Sequence, residues 1–319
     1  MSIKLPTVSV CCITYNHEAY LAQAIESVLM QQTDFDVEMV IGEDCSPDNS
    51  RAIAQEYERR YPGRVRVLAH TQNLGIMRNL MATHAACQGE FIAYLEGDDY
   101  WIDSTKLQRQ IDALRANPDC AFCFHDANVV FENQQDRAPT VFSAQATHAL
   151  PSPSESAPPV RFTQLDLARV GWVVPSASMV FRACSLPQQL PEWFSGVYSG
   201  DYTLHLLSTR WGPALYLPRV MSYYRLHAQS ISNVAAHSAF QFERRIYEGR
   251  MFQQHVFEPK NRKYADIFLA QQYGYYASYL GEQGKRKQQL SCLVKSMLYG
   301  LQRIPVYLER RLPRFFAVN

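Results

Sequence analysis

The residues that could do chemistry fall in three short clusters, each at the end of an apolar run. Residues 8–13 (VSVCCI) lead into Thr14, Tyr15, Asn16 and His17; residues 37–41 lead into Glu43, Asp44, Cys45 and Ser46; residues 91–95 lead into Glu96, Gly97, Asp98 and Asp99. In an open parallel sheet, ligands bind beyond the carboxyl ends of the strands. Three such ends would bring polar and acidic groups to one edge. Any one cluster could simply cap the helix that follows, and Asn16 is well placed to do so. All three together point to a site. Asp98 and Asp99 are the sharpest element, because adjacent carboxylates repel unless a cation lies between them and an anionic ligand. Mg²⁺ or Mn²⁺ takes hard oxygen ligands and bridges one or two carboxylates to phosphate oxygens.

Several alternatives lack their residues. A dinucleotide site needs a glycine-rich turn after the first strand, and Thr14-Tyr15-Asn16-His17 has no glycine. No Gly-Lys-Ser/Thr element is present for a phosphate loop. The first turn is therefore not built to wrap a pyrophosphate in backbone amides, and a metal would have to hold phosphates instead.

The elements that must position these clusters read as alternating strand and helix. Strands are expected at 8–13, 37–41, 65–68, 91–95 and 121–130. Helices are expected after Asn16, over 49–61 and 74–87, and through Leu107, Ile111 and Leu114. Strands separated by helices imply a largely parallel sheet with right-handed crossovers. Residues 137–159 hold five prolines and little apolar periodicity, which predicts a long surface loop. From about residue 239 the pattern is mostly helical. The chain of 319 residues thus divides into 1–135, 136–236 and a helical extension over 237–319.

Composition narrows the class. With 47% hydrophobic and 19% charged residues, the chain can bury a large core. A net charge of +1 disfavours a nucleic-acid partner. Eight cysteines are too sparse for a disulfide scaffold, and Cys120 and Cys123 lack a second pair at zinc spacing. No signal peptide and no run of 18 apolar residues is found. The expectation is a cytoplasmic protein.

The motifs in combination resemble family 2 glycosyltransferases with the GT-A fold: the opening strand through Thr14-Tyr15-Asn16, Glu43-Asp44-Cys45-Ser46-Pro47-Asp48, Asn73-Leu74-Gly75 with Arg78, and Tyr94-Leu95-Glu96-Gly97-Asp98-Asp99-Tyr100-Trp101. Glu96 departs from the aspartate usual there. The resemblance implies a Rossmann-like, mostly parallel sheet flanked by helices, with 1–135 as the donor-binding half, 136–236 as the acceptor-binding and catalytic half, and the loop over 137–159 bordering the acceptor side. It also implies an inverting, metal-dependent transfer from a nucleotide-sugar, a UDP-sugar first, to a hydroxyl of a glycan or lipid-linked acceptor in surface-polysaccharide synthesis. Thr14, Tyr15, Asn16, Asp44, Ser46, Arg78 and Asp98 are then donor-binding residues. Asp98, Asp99 and His227 hold Mn²⁺ or Mg²⁺, and Arg225 contacts the diphosphate. Asp201 is the base that takes the acceptor's proton, or else a helix cap. The competing class is a catalytically silent nucleotide- or glycan-binding protein on the same fold.

Two further features stay open. Trp172 and Trp193 could stack on sugar rings or serve in packing. At the C-terminus, Leu293, Met297, Leu298 and Leu301 share a helical face near Lys295, Arg303, Arg310, Arg311 and Arg314. That segment is either an ordinary packed helix or a peripheral contact with the inner face of a membrane.

Overall fold

The computed structural model describes residues 7–132, 138–145, 150–154, 156–228, 230 and 237–301. The first strands and helices alternate as the sequence pattern predicts: β1 (Val8–Thr14), α1 (Leu21–Leu29), β2 (Val37–Glu43), α2 (Ser50–Arg60), β3 (Val65–Ala69), α3 (Ile76–Ala86) and β4 (Phe91–Glu96). A two-residue strand β5 (Tyr100–Trp101) and helix α4 (Lys106–Ala116) precede the long β6 (Phe122–Phe131). Then come β7 (Thr140–Val141), β8 (Val160–Phe162), α5 (Gln164–Val170), β9 (Val180–Arg182), α6 (Gly200–Ser208) and β10 (Ala214–Leu226). The chain continues through α7 (Ala239–Met251), α8 (Lys263–Glu282) and α9 (Arg286–Gly300).

The sheet order is β3-β2-β1-β4-β9-β6-β10-β5. The first four strands are parallel, so three acidic or polar strand ends do share one edge. Beyond β4 the sheet is mixed. The three-residue β9 runs antiparallel to both β4 and β6, and β5 runs antiparallel to β10.

Helix α1 shows why the frame holds. Leu21, Ala24, Ile25 and Val28 recur at three- and four-residue spacing, and all are buried against Val8, Val10 and Cys12 of β1. Truncating Ile25 to alanine should cost about 2–5 kcal/mol. Asn16 does not cap this helix. The cap position is Tyr20, and Asn16 lies in the left-handed region at φ 58°. An asparagine tolerates that conformation, and here it ends β1 in a tight turn.

The chain forms two compact units. One comprises Met1–Ser195 with Gly200–Asn233 and carries the sheet. The other comprises Gly196–Ser199 with Val234–Asn319. Its own core is Ile246, Leu269, Tyr273, Ala277, Leu280 and Cys292 from α7, α8 and α9. Among the described part of the proline-rich segment, Phe142 and Leu150 are buried anchors in an otherwise mostly exposed stretch. Residues 137, 146–149 and 155 of that segment lie outside the described residues.

Candidate active site

Three buried turns meet at the parallel edge. The turn after β1 is tied to the turn after β2, since the Asn16 amide donates to Ser46 Oγ and the His17 amide to Ser50 Oγ. Cys45 in the second turn also has a positive φ of 58°. A non-glycine residue in that region is unusual and is held there by its surroundings. Ser46 in turn donates its amide to Glu43, a fully buried carboxylate paired with Arg51. Tyr15 is 40% exposed at the mouth of this edge.

Asp44 is buried, and its two carboxylate oxygens accept from the amides of Leu74 and Gly75 at 2.7 and 2.9 Å. Gly75 has a φ of 80°, which only glycine adopts freely. The carboxylate thus fixes the Asn73-Leu74-Gly75 turn that opens α3. Arg78, one turn further, is exposed and ion-paired with Glu192.

The turn after β4 is the centre of the site. Asp98 Oδ2 lies 3.0 Å from His227 Nε2 and 3.8 Å from His17 Nε2. The ligand atoms of these three residues all fall within 4.8 Å of one another. Asp99 faces elsewhere: its Oδ1 accepts from the Arg225 amide at 2.9 Å, and its Oδ2 is buried without a hydrogen-bond partner among the described residues. The expected pair of adjacent aspartate ligands is therefore split, because successive side chains leave a tight turn in different directions. His17, not singled out from sequence, stands in the cluster. The signal was present, since His17 ends the same polar turn as Thr14 and Asn16, but sequence does not show which member of a turn points inward.

Arg225 holds this turn to β10. Its guanidinium donates to the Asp98 carbonyl and to Gln23, pairs with Glu132 at 3.0 Å, and lies between the rings of Tyr20 and Tyr100.

The electrostatics differ sharply within the turn. Burial pushes the Asp98 carboxyl up, but His17 and His227 beside it bring it below the ordinary carboxylate value. Burial lowers His17, against the pull of Asp98. Burial, then the charges of Asp98 and Glu96, push Asp99 well above its usual range. Burial, with Asp98 and Asp201, pushes Glu96 up to about 8. Glu96 therefore feels both the metal-type cluster and Asp201.

Asp201 lies in the first turn of α6 and accepts a hydrogen bond from the Trp172 indole N–H. Trp172 is 43% exposed, with its ring against Phe142 at 5.0 Å and Tyr224 at 6.3 Å. Phe142 brings the proline-rich segment to this side of the site. Trp193 is partly buried, with its ring 6.3 Å from that of Phe194.

Four atoms around these turns carry unspent hydrogen-bonding capacity: Thr14 Oγ1, Asn16 Oδ1, His17 Nδ1 and Asp99 Oδ2 are buried with no partner among the described residues. Gly97 comes close to two of them, where any side chain would clash. A Cβ there would lie 2.7 Å from Thr14 Oγ1 and 2.9 Å from His17 Nδ1. An open cleft of about 460 Å³ adjoins the cluster, lined in part by Asn16, Tyr20, Asp48, Glu132 and His227.

Comparison with known proteins bears on this geometry. The family model described as glycosyl transferase family 2 matches residues 9–178. An uncharacterized protein of Mycobacterium tuberculosis, Rv1520, is 30% identical over 245 residues, covering 76% of this chain and 64% of its own length. The chain thus spans just under two thirds of that relative. The putative teichuronic acid biosynthesis glycosyltransferase TuaG of Bacillus subtilis is 36% identical over 121 residues, 37% of this chain and 46% of TuaG. Among solved structures, residues 1–349 of Staphylococcus aureus TarS in complex with UDP-GlcNAc align with a TM-score of 0.62 at 16% identity, covering 91% of this chain and 81% of that one. The mannosyltransferase PcManGT of Pyrobaculum calidifontis, in complex with GDP-Man and Mn²⁺, aligns with a TM-score of 0.54 at 13% identity, covering 94% and 88%.

Proposed function

Starting from a chain that belongs to glycosyl transferase family 2, a glycosyltransferase on the GT-A fold, we propose that it transfers a sugar from a UDP-sugar, with inversion, to a hydroxyl of a glycan or lipid-linked acceptor. The observation that carries this reading is the pairing of a His17–Asp98–His227 cluster with Asp201, bridged electrostatically by Glu96. One group of residues is suited to a cation and its phosphates, the other to a proton.

The cluster suits a divalent cation. Asp98, His227 and His17 would hold it: Asp98 Oδ2 lies 3.0 Å from His227 Nε2 and 3.8 Å from His17 Nε2, and the ligand atoms of the three all fall within 4.8 Å of one another. Two imidazoles and one carboxylate form a mixed nitrogen–oxygen set, which favours Mn²⁺ over Mg²⁺. When bound, the metal supplies charge neutralisation for the leaving diphosphate. Asp99 then acts through Arg225: it holds β10 in register so that His227 stays against Asp98. Thr14 and Asn16, with their unspent polar atoms, meet the donor's hydroxyls, and Tyr15 and Ser46 flank them. Asp44 keeps the Asn73–Gly75 turn in place as one wall of the nucleotide site, with Arg78 at its rim.

Asp201 takes the proton from the acceptor hydroxyl as that oxygen attacks the anomeric carbon. A single displacement assisted by a single base inverts that carbon, and no covalent sugar–enzyme step is needed. The UDP and UDP-GlcNAc complexes of TarS support a UDP donor, and the name of TuaG supports a surface polysaccharide as product. On this reading the reaction takes place on the cytoplasmic side.

The decisive measurement is UDP release from a panel of UDP-sugars, with Mn²⁺ and with excess chelator. Release that needs Mn²⁺ and disappears in Asp98→Asn supports the reading. Release unaffected by chelator removes the metal from it, and binding of UDP-sugars without any release leaves a binding protein.

A further inference from the structure

Helix α9 is two-faced. Toward α8 it packs Cys292, stacks Tyr299 on Tyr273 at 5.8 Å, and donates from Ser296 Oγ to the Ala270 carbonyl. The opposite side carries Leu290, Leu293, Val294, Met297, Leu298 and Leu301, each between 43% and 70% exposed. These positions recur at three- and four-residue spacing, so they form one continuous stripe along about 17 Å of helix. Scattered exposed leucines are ordinary on a protein surface, but six in a single stripe mark a surface that binds something.

Charge indicates what binds. From residue 283 to residue 301 the chain carries Lys285, Arg286, Lys287 and Lys295 and no acidic residue. Residues 302–319, outside the described part, add Arg303, Arg310, Arg311 and Arg314 against Glu309 alone. The last 37 residues thus hold a formal charge of +7 in a chain whose total is only +1. A second copy seated on the stripe would bring one basic flank against another. An anionic lipid surface offers apolar depth for the stripe and opposite charge for its flanks. Among the described residues no helix is long and apolar enough to cross a membrane, so the contact lies in the plane of the interface.

We propose that the exposed face of α9 docks the protein onto an anionic bilayer, with Leu293, Met297 and Leu298 entering the headgroup–acyl boundary and the basic residues meeting lipid phosphates. The contact would bring the enzyme to a membrane-borne acceptor, but it stands independently of the catalytic reading.

Flotation of the full chain with phosphatidylcholine vesicles, with and without about one third phosphatidylglycerol, tests this. Binding to the anionic vesicles should exceed that to neutral ones by about tenfold or more and weaken with added salt. Met297→Asp should reduce it by at least about tenfold, while leaving the unfolding midpoint unchanged because the side chain is 70% exposed. Should that variant not stay soluble, Lys285→Glu with Lys287→Glu reads the electrostatic half of the same contact. No binding of the unaltered protein to anionic vesicles overturns the proposal, as does undiminished binding by Met297→Asp. A concentration-dependent dimer in light scattering that Met297→Asp dissociates assigns the stripe to a second copy and overturns it equally.

Discussion

The turn after β4 and the start of α6 carry carboxyl groups of the same chemistry in opposite surroundings. At the turn, Asp98 faces two imidazoles and is kept ionised despite burial. Toward α6, Glu96 has burial plus the charges of Asp98 and Asp201 against it, and it holds its proton to about pH 8. Only Gly97 separates Glu96 from Asp98, so sequence position does not set this difference. What sets it is the surroundings of each carboxyl: the His227 and His17 imidazoles from β10 and the β1 turn offset burial at Asp98, whereas at Glu96 burial acts first and the charges of Asp98 and then Asp201 add to it. The site is therefore divided into a half that keeps negative charge available for a cation and a half where excess negative charge is suppressed around the candidate base.

The strongest way to break that division is to remove the charge at Asp98. Asp98→Asn should lower transfer by about three orders of magnitude or more, since a metal contributes several kcal/mol to a developing phosphate charge. UDP binding should also lose its dependence on Mn²⁺. Calorimetric titration of UDP with and without Mn²⁺ checks this; an unchanged Mn²⁺ dependence would place the metal elsewhere. Asp201→Asn attacks the other half. It should reduce turnover by about two to four orders of magnitude, the usual range for loss of a general base, with Mn²⁺-dependent UDP binding intact. The two variants separate the halves cleanly only if the first loses nucleotide binding and the second does not.

His17 sharpens the comparison, because it is the ligand that sequence reasoning passed over. His17→Ala should weaken Mn²⁺ binding by about 10- to 100-fold and raise the metal concentration needed for half-maximal UDP release. The fold was largely legible: the apolar runs and their polar ends located β1, β2 and β4 within a few residues, and their parallel pairing followed from the intervening helices. The antiparallel direction of β9 and the 13-residue β10 were not, because an apolar run does not carry strand direction and β10 gains its partners only through the distant β5, β6 and β8. The site was legible as residues but not as directions. Asp98 and His227 were named as partners from the resemblance and lie together. Asp99 was named as well and turns toward the Arg225 amide. A turn's side-chain directions depend on backbone angles that pattern does not carry.

A pH measurement probes the suppressed half without altering the metal cluster. In the metal-free protein, Glu96 keeps its proton to about 8, against 4.5 for an unperturbed glutamate. A carboxyl whose folded pKa is raised binds more protons in the native state than in the unfolded one between those two values. Its contribution to stability is thus greatest below about 4.5 and is lost as pH rises to about 8. The unfolding midpoint in EDTA should fall across that window more steeply for the parent protein than for Glu96→Gln. Parallel curves for the two proteins would mean that Glu96 is already ionised and that the carboxyl groups are not divided as described. Asp98 runs the other way: its folded pKa is depressed, so its contribution is present above the unfolded value and is lost as pH falls through the folded one.

The smallest expected effect is the most specific to this chain. Trp172 donates its indole N–H to Asp201 and is braced edge-on by Phe142 and Tyr224. Nothing else about the tryptophan requires nitrogen; a phenyl ring would fill much of the same space. Trp172→Phe keeps an aromatic face beside Asp201 but releases one carboxylate oxygen, so Asp201 is no longer steered by that bond. A hydrogen bond to a charged group contributes about 1.5–3 kcal/mol when buried, and less at a half-exposed position. The expected loss in turnover is therefore about 3- to 10-fold, with UDP binding unchanged, and Trp172→Ala should lose more because the face goes too. Steady-state UDP release by the two variants, alongside UDP affinity by calorimetry, distinguishes the outcomes. Turnover equal to the parent in Trp172→Phe but not in Trp172→Ala would leave the indole as packing for the Phe142 segment, with Asp201 oriented by α6 alone. A drop in UDP affinity in either variant would mean that the base side and the nucleotide side are coupled, and the division into two halves would not hold at this edge of the site.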